Sequence, residues 1–237
     1  MKKQVEHMPN CTECSVESKV FCSLSKEEKD MVSANKGNNF YKKGQVIFYE
    51  GNHSNGLYCI YKGKVKLTKL GEDGKDQVLR FSKTGDILGY RSSLSEEPYS
   101  ATATVLEDSH ICHLSRDKYI AVMAANPKLS WNTMQVLSKD LKNAEQHLIN
   151  IAQKTVKERI SEALILLHDT FGFKEDDTQT LDVQLSRSEI ADIAGTTTET
   201  TIRTLANLHK EKLIVLNGKM IKILCLKSLR RSAAIYE

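Results

Sequence analysis

The sequence predicts an α+β protein in three consecutive parts: a β-sandwich, roll or barrel, then a long amphipathic helix, then a winged helix-turn-helix. Three observations carry this. Short β-rich runs punctuated by glycine occupy Phe40 to Leu114. Glycine is then absent from Arg91 to Phe171 while the apolar period becomes helical. The last third holds two helix-start signatures a short turn apart, followed by the hairpin dipeptide Asn217-Gly218.

Composition bounds the possibilities. The chain has 237 residues, 40% of them hydrophobic, enough for one large or two modest domains. No apolar run approaches the roughly 18 residues of a membrane span. The start, Met1 to His7, is basic but leads into polar residues, without the apolar stretch of a signal peptide. The expectation is a soluble, cytoplasmic protein. With 34 Lys+Arg against 30 Asp+Glu, the net charge of +4 does not by itself identify a nucleic-acid binder. The six cysteines are unevenly placed: Cys11, Cys14 and Cys22 crowd the N-terminus, while Cys59, Cys112 and Cys225 lie far apart. In a reducing compartment such crowding points to metal or redox chemistry before structure. No nucleophile–base pair, carboxylate pair, phosphate loop or metal-binding His/Glu triad suggests an enzyme.

Along the chain, Ser25 to Glu28 forms a capping box that opens a helix. Candidate strands follow at Gln45–Tyr49, Gly56–Tyr61, Lys64–Leu70, Gln77–Phe81, Ala101–Glu107 and His110–Leu114. Lys64–Leu70 alternates, so one face is buried and the other solvated. Met134, Leu137, Leu141, Ala144, Leu148, Ile151 and Thr155 then keep a 3-4 spacing. These are a/d positions over about three heptads, the seam of a parallel homodimer. Val156–Asp169 is a second amphipathic helix, and Lys174–Thr178 is expected to be a polar, acidic loop.

Ser186 to Glu189 is a second capping box, opening a short helix Arg187–Ala194, and Gly195 supplies a tight turn. Thr196 to Glu199 is a third, opening a longer helix whose Ile202, Leu205 and Leu208 point inward. Leu213–Leu216 and Lys219–Leu224 flank Asn217-Gly218 as a wing. Arg187 to Arg231 carries nine Lys/Arg and four Asp/Glu, so this segment alone holds +5. Glu199 and Arg203 stand four apart on one exposed face, where an arginine can bond guanine O6 and N7 and a glutamate can accept from cytosine N4. The candidate DNA-contacting residues are Arg187, Thr197, Thr198, Glu199, Ile202, Arg203 and Lys219. Ile202 could also meet a thymine methyl.

Leu185 to Ala191, Glu199 to Arg203, Leu213-Ile214 and Gly218-Lys219 together resemble the DNA-binding domain of the CRP/FNR transcription regulators. Lys43 to Phe48, Glu50-Gly51, Leu57-Tyr58, Gly63 to Lys66 and Gly85 to Gly89 resemble that family's sensory domain. The resemblance implies a double-stranded β-roll like a cyclic-nucleotide-binding domain, a dimerisation helix and a winged helix-turn-helix. The segments expected are 1–33 (Cys-rich segment and helix), 34–126 (roll), 127–155 (dimer helix) and 156–237 (DNA-binding domain). It further implies a homodimer on a two-fold symmetric double-stranded site, contact with RNA polymerase and no membrane partner.

The cyclic-nucleotide branch carries a G-E-L element and a later R-S-A element. Here they read Gly89-Tyr90-Arg91 and Tyr99-Ser100-Ala101, without the glutamate for ribose or the arginine for phosphate. Cyclic AMP is therefore not expected. Cys11-x2-Cys14-Ser15, Cys22 and the segment around Cys112 are instead similar to the ligands of an FNR-type [4Fe–4S] cluster, which takes one thiolate per iron. The resemblance implies metal ligands Cys11, Cys14, Cys22 and Cys112, and DNA binding by the cluster-loaded dimer that oxygen releases. Cys14 and Cys22 are separated by seven residues rather than the usual five, and Cys59 reads first as a small buried apolar residue, with competition for ligand duty as the alternative. Zinc held with His7, a thiol–disulfide switch and another small ligand remain alternatives. Cys225 is expected to be inert, and His110 and His113 structural.

Overall fold

A capping box starts the first helix: the Ser25 hydroxyl accepts from the Glu28 N–H at 3.3 Å, and the Glu28 carboxylate accepts from the Ser25 N–H at 2.8 Å. The computed structural model describes residues 9–16, 18, 20–72, 74 and 76–235. The segment from Met1 to His7 lies outside the described residues. Contacts divide the chain into two units, residues 1–70 with 80–141, and residues 71–79 with 142–237.

The first unit holds α1 (Lys26–Asn35) and strands β1 (Lys36–Tyr41), β2 (Val46–Phe48), β3 (Gly56–Lys62), β4 (Lys64–Leu70), the second half of β5 (Asp76–Lys83) and β6 (Ile87–Leu88). After them come α2 (Tyr90–Ser95), β7 (Thr102–Val105), β8 (Ser109–Ser115), α3 (Arg116–Ala125) and the start of α4 (Pro127–Gln153). Two four-stranded sheets, ordered β1-β8-β3-β6 and β2-β7-β4-β5, form the roll. Strands β1 and β6, and the helices α2 and α3, are elements the sequence pattern did not single out. β1 is mostly exposed and polar, with no apolar alternation to reveal it.

Alternation along β3 and β8 sorts their side chains onto two cores. Tyr58, Ile60 and Ile111 face the roll interior with Phe48, Val65, Leu67, Leu88 and Tyr99. Leu57, Cys59 and Leu114 face the other way, onto a core completed by Val20, Leu24, Val32, Tyr119, Val122 and Leu129. The N-terminal segment, α1, α3 and α4 thereby cover the outer face of the β1-β8-β3-β6 sheet. Gly56 makes the close crossing possible: with φ +139°, a Cβ there would lie 2.2 Å from the Leu114 carbonyl oxygen.

Polar ties hold the cover in place. The Asn126 amide donates to the Glu28 carboxylate at 2.8 Å, and the Tyr119 and Thr133 hydroxyls meet at 3.1 Å. On α4, Asp140 accepts from both Arg80 of β5 and the Tyr90 hydroxyl of α2. Arg80 Nη1 also donates to the Tyr90 oxygen at 3.0 Å. Burial pushes the Tyr90 phenol up to about 12, so it stays a donor.

The second unit continues α4 and adds α5 (Val156–Phe171), β9 (Phe173–Lys174), β10 (Asp177–Leu181), α6 (Arg187–Ala194), α7 (Thr198–Lys210), β11 (Ile214–Asn217), β12 (Met220–Ile223) and α8 (Leu226–Ser232). The expected loop at Lys174–Thr178 is instead the turn and start of a β9-β10 hairpin, which extends the wing into a four-stranded sheet ordered β11-β12-β10-β9. Asp177 stabilises it, accepting from Thr180 Oγ1 at 2.8 Å. The helical run expected through Thr155 ends at Gln153, because Thr155 is the N-cap of α5 and forms a capping box with Glu158.

Removing Asp140 leaves Arg80 and the Tyr90 hydroxyl without their shared partner. Asp140→Ala is expected to lower the unfolding free energy by about 1.5–3 kcal/mol, as for hydrogen bonds to a charged group. Urea unfolding should show a lower midpoint, with Tyr90→Phe losing less.

Candidate nucleic-acid interface and thiol site

The helix-turn-helix is α6, the turn at Gly195 and α7. Ser186 caps α6 reciprocally with Glu189, and Gly195 takes the left-handed conformation at φ 59°. Ile190 and Ala191 of α6 pack with Leu205 and Leu208 of α7, all nearly inaccessible. Arg159 of α5 ties the turn down. Its guanidinium donates to the carbonyls of Ala194 (2.7 Å), Gly195 (3.3 Å) and Lys154 (2.7 Å), which are chain ends with no helical partner. Beside it, Glu162 accepts from Asn150 at 2.7 Å and from Lys154 at 3.0 Å. Neither Arg159 nor Glu162 stood out in the sequence, since only the fold brings their partners together.

Two expectations for α7 are corrected. Its N-cap is Thr197, not Thr196: the Thr197 hydroxyl accepts from the Thr200 N–H at 3.2 Å, and Glu199 takes no part in the cap. The shift arises because Gly195 and Thr196 are consumed in closing α6, where both N–H groups bond back to its last carbonyls. Ile202 does not point inward; it is 51% exposed, whereas Leu205 and Leu208 are buried.

The outer face of α7 therefore presents Thr198, Glu199, Ile202 and Arg203, all exposed. Among the described residues neither Glu199 nor Arg203 has a hydrogen-bond or ion-pair partner, so both can reach a base edge. Thr197 is exposed but shares its hydroxyl with the cap. Lys219 is exposed at the wing turn. Arg187 is half-buried, donates to the Gly218 carbonyl at 2.8 Å, and has its pKa lowered by burial. Its guanidinium thus holds the wing turn against α6.

On the dimer-helix seam, Met134, Leu141, Ala144, Leu148 and Ile151 are exposed, an apolar stripe along α4. Leu137 differs: it packs partly into its own core.

The thiols fall into groups. β3 and β8 pair antiparallel with Cys59 directly opposite Cys112, both on the outer face of the roll. Cys11 packs on the same core as Cys59, and its N–H donates to Ser33 Oγ at 2.6 Å. Lys36 joins the two sides, donating to the Pro9 carbonyl at 2.8 Å and the Cys112 sulfur at 3.8 Å. Burial pushes the Cys59 thiol far above its usual range, and the proximity of Cys112, Cys14 and Cys11 adds to the shift. Burial also raises Cys112, with the Lys36 ammonium opposing it and Cys11 and Cys14 reinforcing it. Cys22 is exposed on the short 3-10 turn Phe21–Ser23, and its sulfur accepts from Asn132 of α4 at 3.8 Å. Cys225 is the N-cap residue of α8, exposed, and its pKa is lowered by a hydrogen bond from Ser228 at 3.2 Å.

Among the described residues, no three His, Cys, Asp or Glu side chains converge on one point as a single metal ion requires. Zinc needs that convergence, with sulfurs about 2.3 Å from one ion. A cubane cluster does not, because each thiolate meets a different iron. Cys59, Cys112 and Cys11 share the outer face of the roll, where they could supply thiolates to different irons of one cube. His7, the fourth ligand of the zinc alternative, lies outside the described residues. His110 and His113 are engaged by rings, Phe40 at 5.0 Å and Tyr58 at 4.7 Å.

The residues at the two cyclic-nucleotide elements of the roll are Tyr99 and Arg91. Tyr99 stands at the place of the phosphate-binding arginine, stacks on Phe48 with centroids 4.0 Å apart, and is 3% exposed. Its oxygen accepts from the Asn55 N–H at 3.0 Å and donates to the Gly56 carbonyl at 3.4 Å. Arg91 is exposed.

The cyclic nucleotide-binding domain family matches residues 39–126, and the Crp-like helix-turn-helix domain family matches residues 158–232. The chain is 25% identical over 226 residues to the transcriptional activator protein Anr of Pseudomonas protegens, covering 94% of this chain and 92% of that protein. It is 28% identical over 221 residues to the cyclic AMP receptor protein of Thermus thermophilus, covering 93% and 95%. The structure of FixK2 from Bradyrhizobium japonicum superposes with a TM-score of 0.75 at 22% identity, covering 85% of this chain and 99% of that one. With a β-roll, a long helix and a winged helix-turn-helix in this order, matched by both domain families, the chain belongs to the CRP/FNR family of DNA-binding transcription regulators.

Proposed function

We propose that this regulator acts as a cytoplasmic homodimer on a two-fold symmetric DNA site, and that oxygen or redox state sets its DNA affinity through an N-terminal [4Fe–4S] cluster. The observation that carries the sensory part is the packing of Cys11 on the outer core of the roll, the face that carries Cys112, with Lys36 tying the nearby Pro9 carbonyl to the Cys112 sulfur. Cys11, Cys14 and Cys112 would supply three ligands, and the sequence motif offers Cys22 as the fourth. Bound there, the cluster would supply an oxygen-labile crosslink between the N-terminal segment and β8. The segment itself covers the core that α4 shares, through Val20, Leu24 and Leu129. Loss of the crosslink would loosen this cover and so change how α4 is presented to its twin.

The likeness to Anr, named as a transcriptional activator, supports the branch, while the cyclic AMP receptor protein named above stands for the other. The Tyr99–Phe48 stack in place of a phosphate-binding arginine favours the first. Contact with RNA polymerase follows from the same family reading. On DNA, Arg203 and Glu199 read base edges, Thr198 and Ile202 line the same face, Thr197 and Lys219 meet phosphates, and Arg187 sets the wing.

Purified without oxygen, the protein is expected to be coloured and to hold iron and acid-labile sulfide, both lost in air. A colourless, iron-free protein that binds DNA tightly would sink the sensory reading. Arg203→Ala should cost about 1–3 kcal/mol of discrimination at one base pair, whereas Lys219→Ala should weaken all sequences alike and reduce the salt slope by about 1; binding titrations on single-base operator variants separate the two. Leu148→Glu, in the centre of the exposed stripe, should give a monomer by sedimentation while leaving the far-UV circular dichroism unchanged.

A further inference from the structure

We propose that Cys59, rather than Cys22, is the fourth thiolate of the sensory site, beside Cys11, Cys14 and Cys112. This rests on the cluster reading above and names the ligand set that the folded roll offers it.

The first support is register. Cys59 and Cys112 are directly opposed residues of neighbouring antiparallel strands. Such pairs stand about 4.5–5.5 Å apart at Cα, with both side chains on one face of the sheet. Their neighbours two residues away, Leu57 and Leu114, are also opposed and lie 1% and 3% exposed in the outer core, which fixes that face as the one under the N-terminal segment. A one-residue slip would turn both thiols into the roll interior, and the buried leucines forbid it. The pair is therefore preformed by the sheet before any ligand arrives.

The second support is what lies over the pair. Cys11 packs on the same core as Cys59. Two polar anchors hold its segment there, Ser33 on the Cys11 N–H and Lys36 on the Pro9 carbonyl. Lys36 also donates to Cys112, so a cation stands where thiolate charge would gather. Cys14 follows three residues after Cys11 in the same short loop. Four sulfurs thus come from two strands and one short loop.

The third support concerns Cys22. Its turn is pinned to α4 by Asn132, whose amide donates to the Val20 carbonyl at 3.3 Å, the Ser23 hydroxyl at 3.2 Å and the Cys22 sulfur itself. Val20 and Leu24, on either side, are buried at 1% and 7%. With both anchored in the core, the turn carries the Cys22 side chain on its exposed side.

The test uses the full chain, loaded anaerobically with ferrous iron and sulfide, as wild type, Cys22→Ser, Cys59→Ser and Cys59→Ala. The expected result is about four iron and four sulfide per chain in the wild type and in Cys22→Ser. Both Cys59 variants should hold less than half of that, or lose it at least tenfold faster in air. Near-wild-type circular dichroism of Cys59→Ala shows that the loss is not unfolding. A second readout needs no variant: anaerobic iodoacetamide should modify Cys22 in the loaded wild type without release of iron, as mass spectrometry of the peptides would report. Full loading of both Cys59 variants, or protection of Cys22 with its loss emptying the site, overturns the assignment while leaving the cluster reading intact. A wild type that takes up neither iron nor sulfide overturns both.

Discussion

Everything in the sensory unit depends on the outer face of the β1-β8-β3-β6 sheet being apolar. A roll that buried only its interior would leave Leu57, Ile87 and Leu114 in water, at roughly 1.5–3 kcal/mol for each large side chain. The chain covers them with Val20, Leu24, Val32, Tyr119, Val122 and Leu129. That one hydrophobic demand folds the N-terminal segment back over β3 and β8, and it seats the first turns of α4 on the same surface. Cys11, Cys59 and the first turns of α4 therefore share a core. A change in the cover reaches α4 through packing, without any long-range relay.

Features with short-range causes were legible in the sequence. Capping boxes at Ser25 and Ser186, the Asn217-Gly218 turn and the apolar stripe of α4 each depend on residues within a few positions of one another, and each appears where the pattern puts it. The failures have a common cause too. Thr196 and Thr197 are locally equivalent caps, and only the closing bonds of α6 choose between them. The β9-β10 hairpin is acidic and polar, and it becomes strand because β12 offers an edge at Thr180. β1 is written in Lys, Gly and Asn, and exists because β8 pairs with it along its whole length. For the site, the residue types were visible but not their grouping: nothing within β3 says that Cys59 will face Cys112.

The polar residues that organise the helices were equally hidden. Arg159 satisfies carbonyls at the ends of two helices, and Asp140 gathers an arginine and a phenol from two other elements. Both are single charged groups serving several chain segments, so neither has a sequence neighbour that betrays its role. Arginine suits the first task because its planar fork points donors at several acceptors at once, which a lysine ammonium on a flexible stem does less well. Where these residues stand, helix geometry is set by directional bonds rather than by fit alone.

The stacked Tyr99 and Phe48, with Tyr58 beside them, carry a last consequence. They amount to an occupant of the roll that is covalently attached to it. A tethered group faces its site at a concentration no free metabolite matches, and it cannot be diluted away. Where these rings pack, the roll interior is solid core, and a ligand entering there would first have to displace them.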